Sequence, residues 1–176
     1  PTVTDTPPAA VASDLAALER WLDDAVPART LDRNLVIGTW NVRTFGGLTE
    51  RWQARAGESP KRDLHSIRAI AEIIRRFDVV AVQEIRGNLK ALRHTLKALG
   101  DDWGLILTDV TRGSAGNDER LGFLFDRRKL QVSGLAAELV VPAADLDAIE
   151  PDALRRQFAR TPYAVSFRSG ETTFIL

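Results

Sequence analysis

Two apolar runs of strand length, residues 35–42 and 79–84, stand on either side of a stretch with helical periodicity. That order confines the chain to folds that mix helix and sheet. The first run reads Leu35-Val-Ile-Gly-Thr-Trp-Asn-Val42 and the second Val79-Val-Ala-Val-Gln-Glu84. Between them Leu64, Ile67, Ile70, Ile74 and Phe77 recur at the spacing of one helical face. Ser59-Pro60 predicts the start of this helix, with serine as the cap and proline in the first turn, and Asp78 its end. Asn88 predicts the cap of the next helix, with Leu89, Leu92, Leu96 and Leu99 inward and Gly100 as its stop. From residue 103 the pattern changes to short strands, at 103–108, 121–125, 130–132, 139–140, 163–167 and 173–176, with a short helix at 151–158.

Ahead of the first strand, residues 1–9 are rich in proline and threonine and are expected to lie loose. Residues 11–25 predict an amphipathic helix, with Val11, Leu15, Leu18 and Leu22 on one face and Pro27 as its stop. The expected organisation is therefore an extension at 1–33 with one packing helix, followed by a main domain at 34–176. Phe174-Ile-Leu176 runs apolar to the last residue. A truncation is expected there, or a strand edge that a second chain or a dimer covers.

Charge excludes a bulk electrostatic argument for nucleic acid, because 24 basic residues balance 24 acidic ones. The distribution is uneven. Residues 1–34 carry 3 basic and 6 acidic side chains, residues 35–100 carry 12 and 6, and residues 101–176 carry 9 and 12. A basic middle can give a neutral molecule a positive face. No apolar run approaches the ~20 residues of a bilayer span, so no membrane association is expected. The chain has no cysteine, which excludes disulfides, thiolate zinc sites and a cysteine nucleophile. It fits a reducing compartment, and a cytoplasmic location is expected.

Strand ends gather the polar side chains that carry chemistry in α/β proteins. Asn41 and Arg43 end the first apolar run, Gln83, Glu84 and Arg86 end the second, and Glu119 opens a later one. A carboxylate such as Glu84 at the end of a buried strand is costly unless paired or metal-bound. Asn41 offers a neutral oxygen donor beside it, and magnesium accepts one or two carboxylates while keeping water. The same residues also read as Glu84 paired with Arg86 or Arg43 at a sheet end, without metal.

Four motifs occur in order: Thr39-Trp-Asn-Val-Arg-Thr-Phe-Gly46, Phe77-Asp-Val-Val-Ala-Val-Gln-Glu-Ile-Arg86, Glu119-Arg-Leu-Gly-Phe-Leu-Phe125 and Arg160-Thr-Pro-Tyr-Ala-Val-Ser-Phe167. Together they resemble the endonuclease/exonuclease/phosphatase superfamily, and within it the pancreatic-type deoxyribonuclease branch. The resemblance implies the N-terminal half of a four-layer α/β sandwich, two mostly antiparallel sheets flanked by helices, with an extra N-terminal helix here. It implies metal-assisted phosphodiester hydrolysis with Mg2+ or Mn2+ as cofactor and nucleic acid, DNA first, as substrate. Glu84 matches the family's metal-binding carboxylate, and Asn41 the asparagine near metal and scissile phosphate. Arg43, Arg86 and Arg160 match phosphate- or backbone-contacting arginines, and Glu119 the carboxylate that orients a catalytic histidine.

That histidine, with its Asp-x-Asn and Ser-Asp-His companions, has no match here. His65 and His94 both fall on predicted helices, and neither is expected to be catalytic. The chain is thus expected to hold the first half of the site and to be inactive alone. A phosphatase or phospholipid phosphodiesterase on the same fold is the alternative activity. A non-catalytic half-domain binding a partner or nucleic acid is the alternative of another class. Residues 47–62, with Arg51, Trp52, Arg55, Lys61 and Arg62, resemble an insertion. Its interleaved basic and aromatic side chains could grip a nucleic-acid backbone, or equally form a solvated loop.

Overall fold

The computed structural model describes residues 1–109, 119–140 and 161–176. In chain order the elements are α1 (Ala9–Ala25), β1 (Ile37–Phe45), α2 (Leu64–Ile74), β2 (Val79–Arg86), α3 (Lys90–Leu99), β3 (Trp103–Leu107), β4 (Glu119–Asp126), β5 (Gln131–Glu138), β6 (Tyr163–Ser169) and β7 (Thr172–Ile175). The first sheet has the order β1-β2-β4-β3 and the second the order β5-β6-β7. Among the described residues only β1 and β2 run parallel, and the other pairs are antiparallel.

Helix α2 forms because its apolar residues recur on one face, and Leu64, Ile67, Ile70 and Ile74 are buried there. Each stabilises the fold by about 1.5–3 kcal/mol. They meet Val42, Val80, Val82, Ile85 and Leu124 of the first sheet. The opposite face of that sheet packs on the second sheet through Val79, Phe123, Phe125, Leu130, Val165 and Phe167. Phe167 makes edge contacts with Phe123 and Phe125, at ring-centroid distances of 5.7 and 5.3 Å. Gly104 is required here, since a Cβ would lie 2.5 Å from the Phe125 ring. Among the described residues the fold is a mixed α/β architecture of two sheets and three helices. Among the described residues helices pack on the first sheet only, so the expected fourth layer is not seen.

Several local expectations are corrected. Helix α2 begins at Leu64, not at Ser59-Pro60. The Asp63 carboxylate accepts from the Ser66 N–H at 2.8 Å while the Ser66 hydroxyl accepts from the Asp63 N–H at 2.9 Å. This reciprocal box, four residues further on, outcompetes Ser59 as the cap. Residues 1–9 are not loose. Val3 is fully buried in the main core, and its carbonyl accepts from Arg68 at 3.1 Å. Residues 139–140 are exposed rather than a strand. Strand β5 ends at Glu138 and shifts register between Val132 and Ala136, around Gly134 at φ +108°. That bulge and the strand's exposure erase the alternation a sequence reading needs. The helix expected at 151–158 lies outside the described residues.

Beneath the sheet, Asp78 and Asp126 are fully buried side by side. Arg29 bridges them, with Nε donating to Asp78 at 2.8 Å and Nη2 to Asp126 at 2.6 Å. Lys129 donates to Asp78 at 2.9 Å and to the Thr30 carbonyl at 2.6 Å. Buried charges persist only when matched in this way. Arg29 thereby ties the segment after α1 to the start of β2 and the end of β4. Strand β7 lies at an edge of the second sheet among the described residues, and Leu176 and Val165 exchange backbone hydrogen bonds at 2.9 and 3.0 Å.

Candidate functional site

At the other end of β2 the regular ladder breaks. Strands β1 and β2 pair residue for residue from Ile37↔Val79 to Asn41↔Gln83, then resume at Phe45↔Ile85. Residues 42–44 thus oppose Glu84 alone. On its other side, β2 pairs Val82↔Gly122 and then Ile85↔Arg120, so Gln83 and Glu84 oppose Leu121 alone. Glu84 sits inside both bulges. Its φ is +59°, and that of Thr44 across from it is +50°. A left-handed conformation costs a non-glycine residue roughly 1–2 kcal/mol, and such strain concentrates at functional sites. The Thr44 N–H donates to Glu84 Oε2 at 2.9 Å, which fixes the carboxylate at the mouth of the bulge.

The alternation of β1 decides what faces this carboxylate. Trp40 and Val42 turn toward the α2 side and join the core, while Thr39, Asn41 and Arg43 are exposed on the opposite face. Asn41 stands in register with Gln83, one residue before Glu84. Below it a groove of about 380 Å³ opens between the two sheets, lined by Thr39, Gln83, Gly122, Tyr163 and Leu176 among others. Burial pushes the Tyr163 hydroxyl up from its ordinary pKa, with Glu138 adding to the effect.

Arg86 and Glu119 are Cα partners across β2 and β4, and their side chains form an ion pair at 2.9 Å. Glu119 is only 3% exposed, so the pair is anchored from the protein side while a third of Arg86 faces solvent. Such a guanidinium is held in place and still presents charge outward. The Arg43 carbonyl accepts from Arg62 at 2.6 Å, and the Arg62 guanidinium lies 5.7 Å from the Phe45 ring centroid. Burial lowers the Arg62 pKa, with Asp63 opposing.

The structure therefore brings Asn41, Arg43, Glu84, Arg86 and Glu119 to one end of three adjacent strands. Arg160 lies outside the described residues. Loop 47–62 is not a strip of free basic and aromatic groups. Trp52 packs against the core, Arg51 pairs with Glu58, and Arg62 covers Phe45. Only Arg55 and Lys61 of its cations are well exposed. His65 and His94 are on α2 and α3, near Asp14 and Glu50 at 4.0 and 3.8 Å.

Two contributors carry no chemical signal in the sequence. Thr44 acts through its backbone N–H. Gly46 lets Arg86 close in, since a Cβ there would lie 2.9 Å from the Arg86 Cβ; the Gly46-Gly47 pair was the available hint. Among the described residues no three His, Cys, Asp or Glu side chains cluster. Glu84 and the Asn41 amide are oxygen groups that β1 and β2 bring to this end and that could hold a cation. That donor set suits a hard ion that retains water and does not suit a zinc-type cage.

A family model described as the Endonuclease/Exonuclease/phosphatase family matches residues 38–161, well over half of the chain. No curated protein matches it.

Proposed function

The chain belongs to the endonuclease/exonuclease/phosphatase family, and from that membership we propose that it serves divalent-metal-dependent hydrolysis of phosphodiester bonds in nucleic acid, with DNA the first candidate. The family spans nucleases, phosphatases and phosphodiesterases, so the substrate has to be argued from the site. The observation that carries the reading is Glu84: a carboxylate held in strained backbone within two bulges, oriented by the Thr44 N–H.

Glu84 and Asn41 would hold Mg2+ or Mn2+. Such an ion, when bound, neutralises charge on the phosphate and acidifies water. The protein's own contribution is placement and charge. Arg43 is exposed on the Asn41 face, and Arg86, paired with Glu119, presents part of its guanidinium at the same strand end. Both suit phosphate oxygens, which the planar guanidinium contacts through paired donors. Glu119 is a positioning residue that fixes Arg86. Arg160 keeps the phosphate-contacting role that its motif implies. Neither histidine accompanies Glu84, so residues 1–176 alone are expected to be inactive or nearly so.

Plasmid nicking, with and without magnesium, tests the reading alongside magnesium titration of the same protein. Glu84→Gln is expected to weaken magnesium binding at least tenfold and to remove whatever nicking the wild type shows. Turnover of a small phosphate ester with no binding of DNA would overturn it in favour of a phosphatase.

A further inference from the structure

Next to this site is a cavity of about 590 Å³, lined by Gly87, Asn88, Leu89, Lys90, Arg93 and His94. It is built on the same strand ends as Glu84. The Ala91 N–H donates to the Gly46 carbonyl at 2.9 Å, and Gly46 packs on Arg86. Two cations line it, Lys90 and Arg93, and Arg93 is well exposed. Glu50, from the segment after β1, pairs with one of them. Its carboxylate lies 3.1 Å from Lys90 Nζ and 3.8 Å from His94 Nε2. The His94 Nδ1 is buried with no hydrogen-bond partner among the described residues.

We propose that this cavity is a second phosphodiester-binding subsite, in which Glu50 stands in for a backbone phosphate until nucleic acid displaces it. The inference rests on the nucleic-acid reading of the neighbouring site. Glu50 is 53% exposed and Lys90 42%, and an ion pair so solvated is weak. A backbone phosphodiester carries the same single charge as the carboxylate, so it can replace Glu50 on Lys90 while also meeting Arg93 across the cavity. The start of α3 is not what binds, because the Lys90 N–H is already taken by Asn88 Oδ1 at 3.0 Å. Burial pushes His94 below its ordinary pKa, with Lys90 and Lys97 adding and Glu50 opposing. Near neutral pH the charge facing the cavity is therefore that of Lys90 and Arg93. A phosphate held here fixes the register of a polymer on Glu84 and carries no sequence information. A small phosphate ester could not span both places.

The test is binding of a short DNA duplex to the 176-residue chain, by fluorescence anisotropy in metal-free buffer across a salt series. Replacing Lys90 and Arg93 together by Gln is expected to weaken binding about tenfold or more and to reduce the salt slope by about 0.9 for each phosphate no longer neutralised. Glu50→Gln is expected to tighten binding, a gain that misfolding cannot imitate. Arg20→Gln, exposed on α1 away from the cavity, is expected to leave affinity within about twofold. The subsite is overturned if wild type binds DNA and the Lys90/Arg93 variant binds equally well with an unchanged slope. It is equally overturned if Arg20→Gln weakens binding as much. If wild type binds neither duplex nor single-stranded DNA or RNA at low salt, the nucleic-acid reading itself falls and takes the subsite with it.

Discussion

Strand β2 has a carboxylate at each end, and the two are treated in opposite ways. Asp78, just before the strand, is fully buried between Arg29 and Lys129, and the ladder beside it is regular. Glu84, near its end, is partly exposed, sits in a double bulge and holds a positive φ. One end spends its charges on each other and closes the fold. The other keeps a carboxylate and two arginines at a solvent-facing surface. The contrast separates residues that hold the sheet together from residues that the sheet holds up.

The largest expected effect breaks the buried end. Asp78→Ala leaves Lys129 and part of Arg29 without their counter-charge, and is expected to cost about 3–5 kcal/mol in denaturant unfolding. If that variant does not fold, Arg29→Met probes the same bridge more gently. Magnesium affinity of the folded fraction should stay at the wild-type value in either variant; a parallel loss would merge the two ends into one unit.

A pH series sharpens the same end. Burial tends to raise the Asp126 pKa, but hydrogen bonds from Arg128 and Arg29 hold it well below the ordinary carboxylate range. Its contribution is then complete at neutral pH and is lost as pH falls through the acid range toward that lowered value. Urea melts from about pH 7 to about pH 3 should steepen in acid. Asp126→Asn should be less stable at neutral pH and flatter across the series. A wild-type profile no steeper than the variant's would remove Asp126 from the account.

The smallest effects belong to the bulged end. Glu84→Gln is expected to change stability by under about 1 kcal/mol while metal binding falls. Thr44→Gly keeps the N–H that holds Glu84 and relieves a φ of +50°. It should stabilise by up to about 1 kcal/mol. Loss of stability there would show that the threonine side chain, and not the strain, dominates.

How much of this was legible depends on how local the cause is. Helix α2 was readable because Leu64, Ile67, Ile70 and Ile74 repeat within one element. Its start was misplaced because two caps compete over four residues, and the Asp63–Ser66 reciprocity decides. Asn41, Glu84 and Arg86 were readable as polar residues closing apolar runs. Their geometry was not, because a bulge is a property of two strands in register. The Arg86–Glu119 pair joins residues 33 positions apart, and only the β2–β4 alignment makes them neighbours. Trp52 read equally as a stacking platform or as part of a solvated loop, and tertiary packing drew it inward instead.

Loop 47–62 carries one more consequence. The Thr49 N–H bonds the Arg62 carbonyl and the Leu64 N–H bonds the Arg51 carbonyl, each at 2.8 Å. These two rungs clamp the loop at its neck, with Asp63 also accepting from Ala54 at 2.7 Å. Strand β1 and helix α2 are therefore joined across the neck, whatever length of chain hangs beyond it. Lengthening such a loop costs only about 0.6 kcal/mol per doubling. Ala56 and Gly57, short of Glu58 and its ties to Thr49 and Arg51, are then the place where this scaffold can take up new sequence, by descent or by engineering, without moving the carboxylate it presents.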